Sequence, residues 1–421
     1  MAEGTMRTRM LAVLAAAILA AHAAAPAPLL APPFTDHAVL QAYKPVPVWG
    51  RAAPGEHVVV SFAGQKAGAV AGADGRWMAV LGPLAANASG SELAVAGSSQ
   101  RVLRDIVVGE VWICAGQEPP VQAPAQGVED PLVRIYRAVT GAASAGWEPI
   151  ASAPRERGTT AASFASSLAS RLQVPVGVVV CEGGDAAVDA WMSPDSLAPA
   201  PAGASSLFEG LVEPVLPYAV RGILWSQGPA DAQDAGSYAV RFPRLVASWR
   251  SHLGEGDIPF LWLQLGSGPG RGGRPLLREA QGRALSLPAT GQAVSIDTSL
   301  PAELGRRLAL IAKAKAYSIP ENFSGPEFEG AEPEGRVMRV RFSGAEDGLT
   351  SAGGPLRSFE LAGADRVFHA AQAAISGQAV LVSAPQVARP QAVRYGWKDS
   401  PGANLFGGSG LPAAPFRSDS W

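Results

Sequence analysis

A chain of 421 residues leaves room for about two to four domains and at least one sizeable apolar core. With 34 Lys and Arg against 36 Asp and Glu, its net charge of −2 gives neither nucleic acid nor an anionic membrane an electrostatic foothold. Hydrophobic residues at 48% and charged residues at 17% exclude a disordered chain, and two cysteines exclude a disulfide framework or a four-cysteine zinc site.

Residues 1–23 have the layout of a secretory signal. Arg7 and Arg9 are basic, the apolar run Met10 to Ala21 follows, and Ala21-His22-Ala23 is a small-x-small cleavage site. The apolar run is about 12 residues, short of the ~20 a bilayer-crossing helix needs. The expectation is an exported protein, periplasmic or extracellular, with no membrane span after signal removal. Residues 24–105 read as an N-terminal β-sandwich module: Val46 to Trp49, Val58 to Phe62 and Trp77 to Leu81 are short apolar runs parted by Pro54-Gly55, Gly64-Gln65 and Asp74-Gly75.

From 106 to 320 the pattern changes. Ile106 to Cys114, Val176 to Cys181, Ile223 to Trp225, Phe260 to Leu265 and Ala293 to Ile296 are apolar on both faces, as buried parallel strands are. Helical spacing lies between them: Phe164, Leu168 and Leu172 in one segment, Phe242, Leu245, Val246, Trp249 and Leu253 in another that closes at Gly254. Two more helices start near Pro275 and Pro301, where a missing N–H costs little. The alternation predicts an α/β domain, a parallel sheet wrapped by helices. The stretch 119–145, rich in Pro, Ala and Gly, reads as loop. From 321 to 421 the helical period stops, and Val337 to Phe342, Phe359 to Leu361, Val380 to Val382 and Ala392 to Tyr395 read as strands of a C-terminal β module.

In a parallel α/β sheet, ligands bind beyond the C-terminal strand ends. Those ends are Cys114-Ala-Gly-Gln-Glu118, Cys181-Glu-Gly-Gly-Asp185, Trp225-Ser-Gln-Gly-Pro-Ala-Asp231 and Ile296-Asp297. Gly116, Gly183, Gly184 and Gly228 would let backbone N–H groups approach a ligand, with Gln117, Glu118, Gln227 and Asp231 beside them; plain strand-to-helix turns are the alternative. Trp191 follows the Gly183-Gly184 turn and is either a rim residue able to stack on a sugar or a core residue. Cys114 and Cys181 read as core cysteines, and Arg306 and Arg307 as charges on a helix surface.

These turns come with Phe34-Thr-Asp-His-Ala-Val-Leu-Gln41, Lys44-Pro-Val-Pro-Val-Trp-Gly50, Val108-Gly-Glu-Val-Trp112, Ala190-Trp-Met192, Gly305-Arg-Arg-Leu-Ala309, Val393-Arg-Tyr-Gly-Trp397 and Gly410-Leu-Pro-Ala-Ala-Pro-Phe-Arg417. Together they resemble the sialate O-acetylesterase family, secreted carbohydrate esterases of the SGNH (GDSL-like) hydrolase fold, over nearly the whole chain after the signal. The resemblance implies acyl transfer. A Ser in a Gly-Gln-Ser-Asn turn attacks an acetyl ester, a His from a late Asp-x-His segment is the base, and a Gly and an Asn hold the oxyanion. Position by position, this chain departs from that set. Glu118 stands at the nucleophile position and Pro119 follows it. The usual Ser-Trp-Gly-Gly-Thr turn is Cys181-Glu-Gly-Gly-Asp185, and the usual Gln-Gly-Glu-Ser-Asn turn is Gln227-Gly-Pro-Ala-Asp231. Between Asp297 and Gly305 the loop is short and holds no histidine.

Glutamate has no hydroxyl to deprotonate, and ionised Asp231 accepts hydrogen bonds where an Asn would donate. Of five histidines, His22 falls in the signal, His37 and His57 in the first β module, His369 in the last, and His252 near a helix C-terminus away from the strand ends. The expectation is a catalytically inactive relative, without cofactor, that binds glycan or a partner protein through the old cleft and the β modules. Two alternatives stay open. Glu118, Glu182, Asp185, Asp231 and Asp297, if gathered, suit a hard cation such as Ca²⁺ or a carboxylate pair acting on a glycosidic bond. Ester hydrolysis with a thiol nucleophile is the other, Cys181 being more reachable than Cys114.

Overall fold

The computed structural model describes residues 29–119, 129–141, 146–197, 203–270, 272–297 and 300–421; the signal read in residues 1–23 lies outside them. Its centre is a sheet in the order β3-β2-β4-β1-β5-β6-β7. The strands are β1 (Gln100–Gly116), β2 (Val133–Arg137), β3 (Trp147–Pro149), β4 (Val176–Glu182), β5 (Gly222–Ser226), β6 (Phe260–Leu263) and β7 (Thr290–Ala293). All neighbours from β2 to β7 run parallel, and β3 is antiparallel to β2. The helices between and after them are α1 (Thr160–Leu172), α2 (Ala235–Leu253), α3 (Arg274–Arg283) and α4 (Pro301–Tyr317).

Burial on both sheet faces explains the unbroken apolar strands. Val176 to Cys181 are all buried, and two apolar cores flank the sheet. Trp225, Tyr238, Phe242 and Trp249 lie in one, and Trp112, Phe164, Leu168 and Leu308 in the other. Helix α2 ends at Gly254 with φ 68°, the left-handed residue its sequence announces. Helix α1 starts at Thr159, whose side chain accepts from the Ala162 N–H at 3.2 Å. Thr159→Ala is expected to destabilise the protein by about 1 kcal/mol in urea unfolding, the usual worth of such a cap.

Two strand expectations are corrected. The 119–145 stretch is not all loop: residues 120–128 and 142–145 lie outside the described set, but Val133–Arg137 is a buried strand beside β4. Its two arginines disguise it. Arg134 is 7% exposed and donates to the carbonyls of His37 and Asp105, while Arg137 grips Glu156 and Glu182. The last parallel strand is Thr290–Ala293, ahead of the expected Ala293 to Ile296. After Ala293 the chain leaves the ladder, and Ile296 packs into a third core with Met338, Phe342 and Phe359. The expected strand is thus displaced by three residues, because the run from Ala293 to Ile296 passes from one core to another.

Strand β1 is 17 residues long and serves two sheets. Its first half pairs with Asn87–Ala96 and its second half with β4 and β5. The N-terminal strands are one-sided, as in Arg76–Leu81, where alternate residues are buried. At the C-terminal end, Glu327–Glu334, Val337–Ser343, Ala379–Ser383, Phe368–Ser376, Phe359–Ala362, Ala392–Tyr395 and Phe416–Arg417 lie side by side in that order. Among the described residues no helix is long and apolar enough to cross a membrane.

Candidate functional site

The C-terminal ends of β1, β4, β5 and β6 converge as the parallel arrangement requires. Gly116, at φ 110°, ends β1 in backbone space that a side chain would strain. The next N–H, of Gln117, donates to the Ser226 carbonyl at 2.8 Å, and the Gly183 N–H donates to the Gly116 carbonyl at 3.2 Å. A β-carbon at Gly228 would meet Gln117 Oε1 at 2.3 Å and Asp185 Oδ1 at 2.4 Å, so both side-chain ends would have to shift to admit one. Gly184, at φ 63°, completes the turn between β4 and Asp185.

Glu118 sits where the resemblance places the nucleophile. Its Oε1 accepts the Thr160 N–H at 2.5 Å, in the first turn of α1. An anion is favoured there because the first-turn N–H groups have no partner within the helix. Burial nevertheless dominates, and with help from Glu182 and Glu156 it raises the carboxyl to a pKa of about 7 despite the Thr160 bond. Asp231 is 5% exposed and turned inward. Its Oδ2 accepts from the Val188 N–H at 2.9 Å and from Gln227 Nε2 at 2.8 Å, and burial lifts it to about 6.

The five acids do not form one cluster; each has a partner of its own. Glu182 pairs with Arg137 at 2.6 Å, and the same guanidinium holds Glu156 at 2.7 Å. Asp185 accepts from the Ala230 N–H at 2.8 Å. Asp297 is clamped by both Arg307 Nη atoms at 2.7 Å. Among the described residues no group of three or more His, Cys, Asp or Glu side chains is arranged to hold a metal ion. Arg307, read as a helix-surface charge, is instead 4% exposed, while Arg306 does lie at the surface, bonded to Glu303.

Trp191 is a core residue. It is 1% exposed, edge-on to Trp225 with centroids 5.4 Å apart, and its carbonyl accepts from Trp249 Nε1 at 2.8 Å. A rim role stacking on sugar is therefore ruled out, since no face of the ring is free. Both thiols are disfavoured as thiolates. Burial pushes Cys181 up to about 12, its Sγ donating to the Leu211 carbonyl at 3.4 Å. Burial and then Glu118 drive Cys114 upward as well. Neither described histidine with a carboxylate neighbour faces this cleft. His37 bonds Asp105 at 2.7 Å beside the N-terminal strands, and His252 bonds the Ser248 carbonyl in the last turn of α2.

Next to these turns lies a cleft of about 260 Å³ lined by Gln117, Pro119, Ser226, Gln227, Gln264 and Arg274, among others. Three of its residues carry buried polar atoms without a hydrogen-bond partner: Gln227 Oε1, Gln264 Oε1 and Arg274 Nε. They are 5%, 3% and 7% exposed, respectively. Buried polar groups are normally satisfied, so these three atoms call for a water or another hydrogen-bonding partner. Sequence reasoning missed Gln264 and Arg274. Gln264 had a signal, being the polar residue in the otherwise apolar run Phe260 to Leu265 at a strand end.

Comparison with known proteins agrees with this architecture. The family description "carbohydrate esterase, sialic acid-specific acetylesterase" matches residues 146–305. The solved structure of a carbohydrate acetylesterase from Xanthomonas citri is 33% identical, with a TM-score of 0.85, covering 94% of this chain and 100% of that one. The sialate O-acetylesterase of Homo sapiens is 23% identical over 290 residues, 52% of this chain and 53% of the human protein. That of Pongo abelii is 22% identical over 280 residues. The chain thus spans about half the length of these curated relatives. From the full-length structural match and the family match within it, this chain belongs to the sialate O-acetylesterase family of carbohydrate esterases.

Proposed function

We propose that this protein is a non-catalytic member of its family, an SGNH-type scaffold that holds a carbohydrate in its strand-end cleft. The observation that carries the reading is Glu118, which occupies the nucleophile position and is bound to the α1 N-terminus through the Thr160 N–H. A carboxylate there cannot form the acyl-enzyme by the family route, and its charge opposes the oxyanion that such chemistry builds. Two further features agree. The Gly183 N–H already donates to Gly116, and Asp231, at the amide-donor position, accepts bonds from Val188 and Gln227. Losing nucleophile, base and oxyanion donors together leaves little of a triad's rate.

The three orphaned atoms support the binding half of the proposal. A sugar hydroxyl or bridging water that reached them would donate to the Gln227 and Gln264 carbonyl oxygens and accept from Arg274 Nε. In this reading residues 24–105 and 321–421 are β modules flanking an α/β domain over 106–320, and residues 1–23 direct export to the periplasm or beyond. The test is hydrolysis of p-nitrophenyl acetate and of an O-acetylated sialoside by purified protein. The expected rate equals the buffer rate.

A second reading rests on one observation, the Glu118 carboxyl near pKa 7, where a general base works best at neutral pH. Glu118 would take a proton from water as that water attacks the acetyl carbonyl and pass it to the leaving sugar oxygen as the ester C–O bond breaks, releasing acetic acid and the sugar hydroxyl. Turnover above buffer that Glu118→Gln abolishes would overturn the non-catalytic reading in favour of this one.

A further inference from the structure

A second cleft lies apart from the strand-end turns, between α3 and the C-terminal sheet. Its volume is about 470 Å³, within the range of small-molecule sites. Half-buried Trp397 and Phe328 line it, Phe328 stacked on Phe416 at 4.3 Å and Trp397 with the Arg417 and Arg394 guanidinium groups 5.2 and 5.8 Å from its ring centroid. Gln292 and Gln264 line it from the body of the α/β sheet, and Gln264 also lines the strand-end cleft, so the two cavities share a residue.

The charged side chains in this lining already have hydrogen-bond partners. Glu279 binds Arg417 at 2.9 and 3.0 Å and Arg283 at 3.1 Å. Arg278 donates to the carbonyls of Leu265, Gly266, Lys398 and Asp399. Glu327 accepts from Ser324 Oγ at 2.6 Å. What is left for a ligand is neutral. Gln292 Oε1 accepts from Trp262 Nε1 at 2.8 Å, which leaves its amide N–H groups, and Gln264 is 3% exposed with Oε1 unpartnered. Aromatic walls with amide groups between them match a pyranose, whose rings present apolar C–H faces and hydroxyl edges. A charged ligand would have to displace these contacts to reach Arg278 or Glu327.

We propose that this cleft is a second carbohydrate subsite, packing a neutral sugar unit against Trp397, so that the protein takes a neutral oligosaccharide along both cavities. The proposal deepens the carbohydrate-binding function proposed above and rests on it. The test is isothermal titration of the full protein with cellohexaose, xylohexaose and mannohexaose, run on wild type, Trp397→Ala, Trp397→Phe and Gln227→Ala. At least one hexasaccharide is expected to bind, with affinity falling about tenfold or more in Trp397→Ala and less in Trp397→Phe. Hydroxyl-radical footprinting of the wild type guards against a variant that fails to fold, and saturating hexasaccharide is expected to shield Trp397. Binding that survives Trp397→Ala, leaves Trp397 unshielded and disappears in Gln227→Ala would overturn the second subsite while keeping the strand-end one. Failure of all three hexasaccharides to bind would also overturn it; a sialylated trisaccharide then binding in a Gln227-dependent way would leave the proposed function standing.

Discussion

Arg307→Met is expected to destabilise the protein by about 3–5 kcal/mol, the usual cost of leaving a buried charge without its partner. The guanidinium is 4% exposed and engages four acceptors. These are both Asp297 carboxylate oxygens at 2.7 Å, Glu303 Oε1 at 2.8 Å and the Val294 carbonyl at 2.7 Å. Asp297 has a side-chain exposure of 10%, so removing the arginine strands it in a poorly hydrated site. The substitution also unpins the segment after β7 from α4, just where the resemblance expects a longer loop carrying the catalytic pair. Urea unfolding at pH 7 measures the effect. Asp297→Asn added to Arg307→Met should restore part of the loss, because it removes the stranded charge. A cost under about 1 kcal/mol for the single change would show that water reaches Asp297 freely.

Glu118→Gln is expected to stabilise the protein at pH 8 by about 1–3 kcal/mol and to have little effect at pH 4.5. The sign follows from a folded carboxyl at about 7 against 4.5 when unexposed to the fold. Between these values the folded state holds the proton more tightly than the unfolded chain. Its stabilising contribution is therefore full below pH 4.5 and is lost as pH rises towards about 7. Asp231, lifted by burial from 3.8 to about 6, adds the same sign over a lower window. Glutamine keeps a carbonyl oxygen for the Thr160 N–H and carries no charge to bury. Chemical denaturation at the two pH values decides the matter, and equal effects at both would mean that Glu118 is well hydrated. The same variant serves the hydrolysis assay. A gain in stability together with loss of turnover would identify a strained functional carboxylate, whereas a gain with no activity to lose fits a cleft released from chemistry.

Much of the parallel sheet was legible because burial on two faces leaves an unmistakable trace. Val176 to Cys181 and Phe260 to Leu263 could hardly be anything else, and Gly254 and Pro301 marked helix boundaries by backbone chemistry alone. Strand β2 was hidden because Arg134 and Arg137 interrupt its apolar pattern, and only distant partners make those arginines burial-compatible: Asp105 for one, Glu156 and Glu182 for the other. Arg307 illustrates the reverse case. It follows Leu304 by three residues and precedes Ile311 by four, on the buried stripe of α4, so the helical period already placed it inward. A charged residue on that stripe needs a buried counter-ion, and Asp297 was in reach.

For the site, spacing named the turns that meet, but not what each side chain does there. The row of Gly116, Gly183, Gly184 and Gly228 follows from strand-end chemistry, and the departures at Glu118 and Asp231 are covalent facts of the chain. Whether five acids share a cation or take separate partners depends on distances set by packing, and packing gave them Thr160, Arg137, Ala230, Val188 and Arg307. Trp191 was similarly undecided until Trp225 and Trp249 closed around it. Local order in the chain dictates period, turns and the chemistry a residue carries. Burial and pairing are properties of residues far apart in sequence, such as Gln264 and Trp397 around one cleft, and they exist only once the sheets and helices have packed.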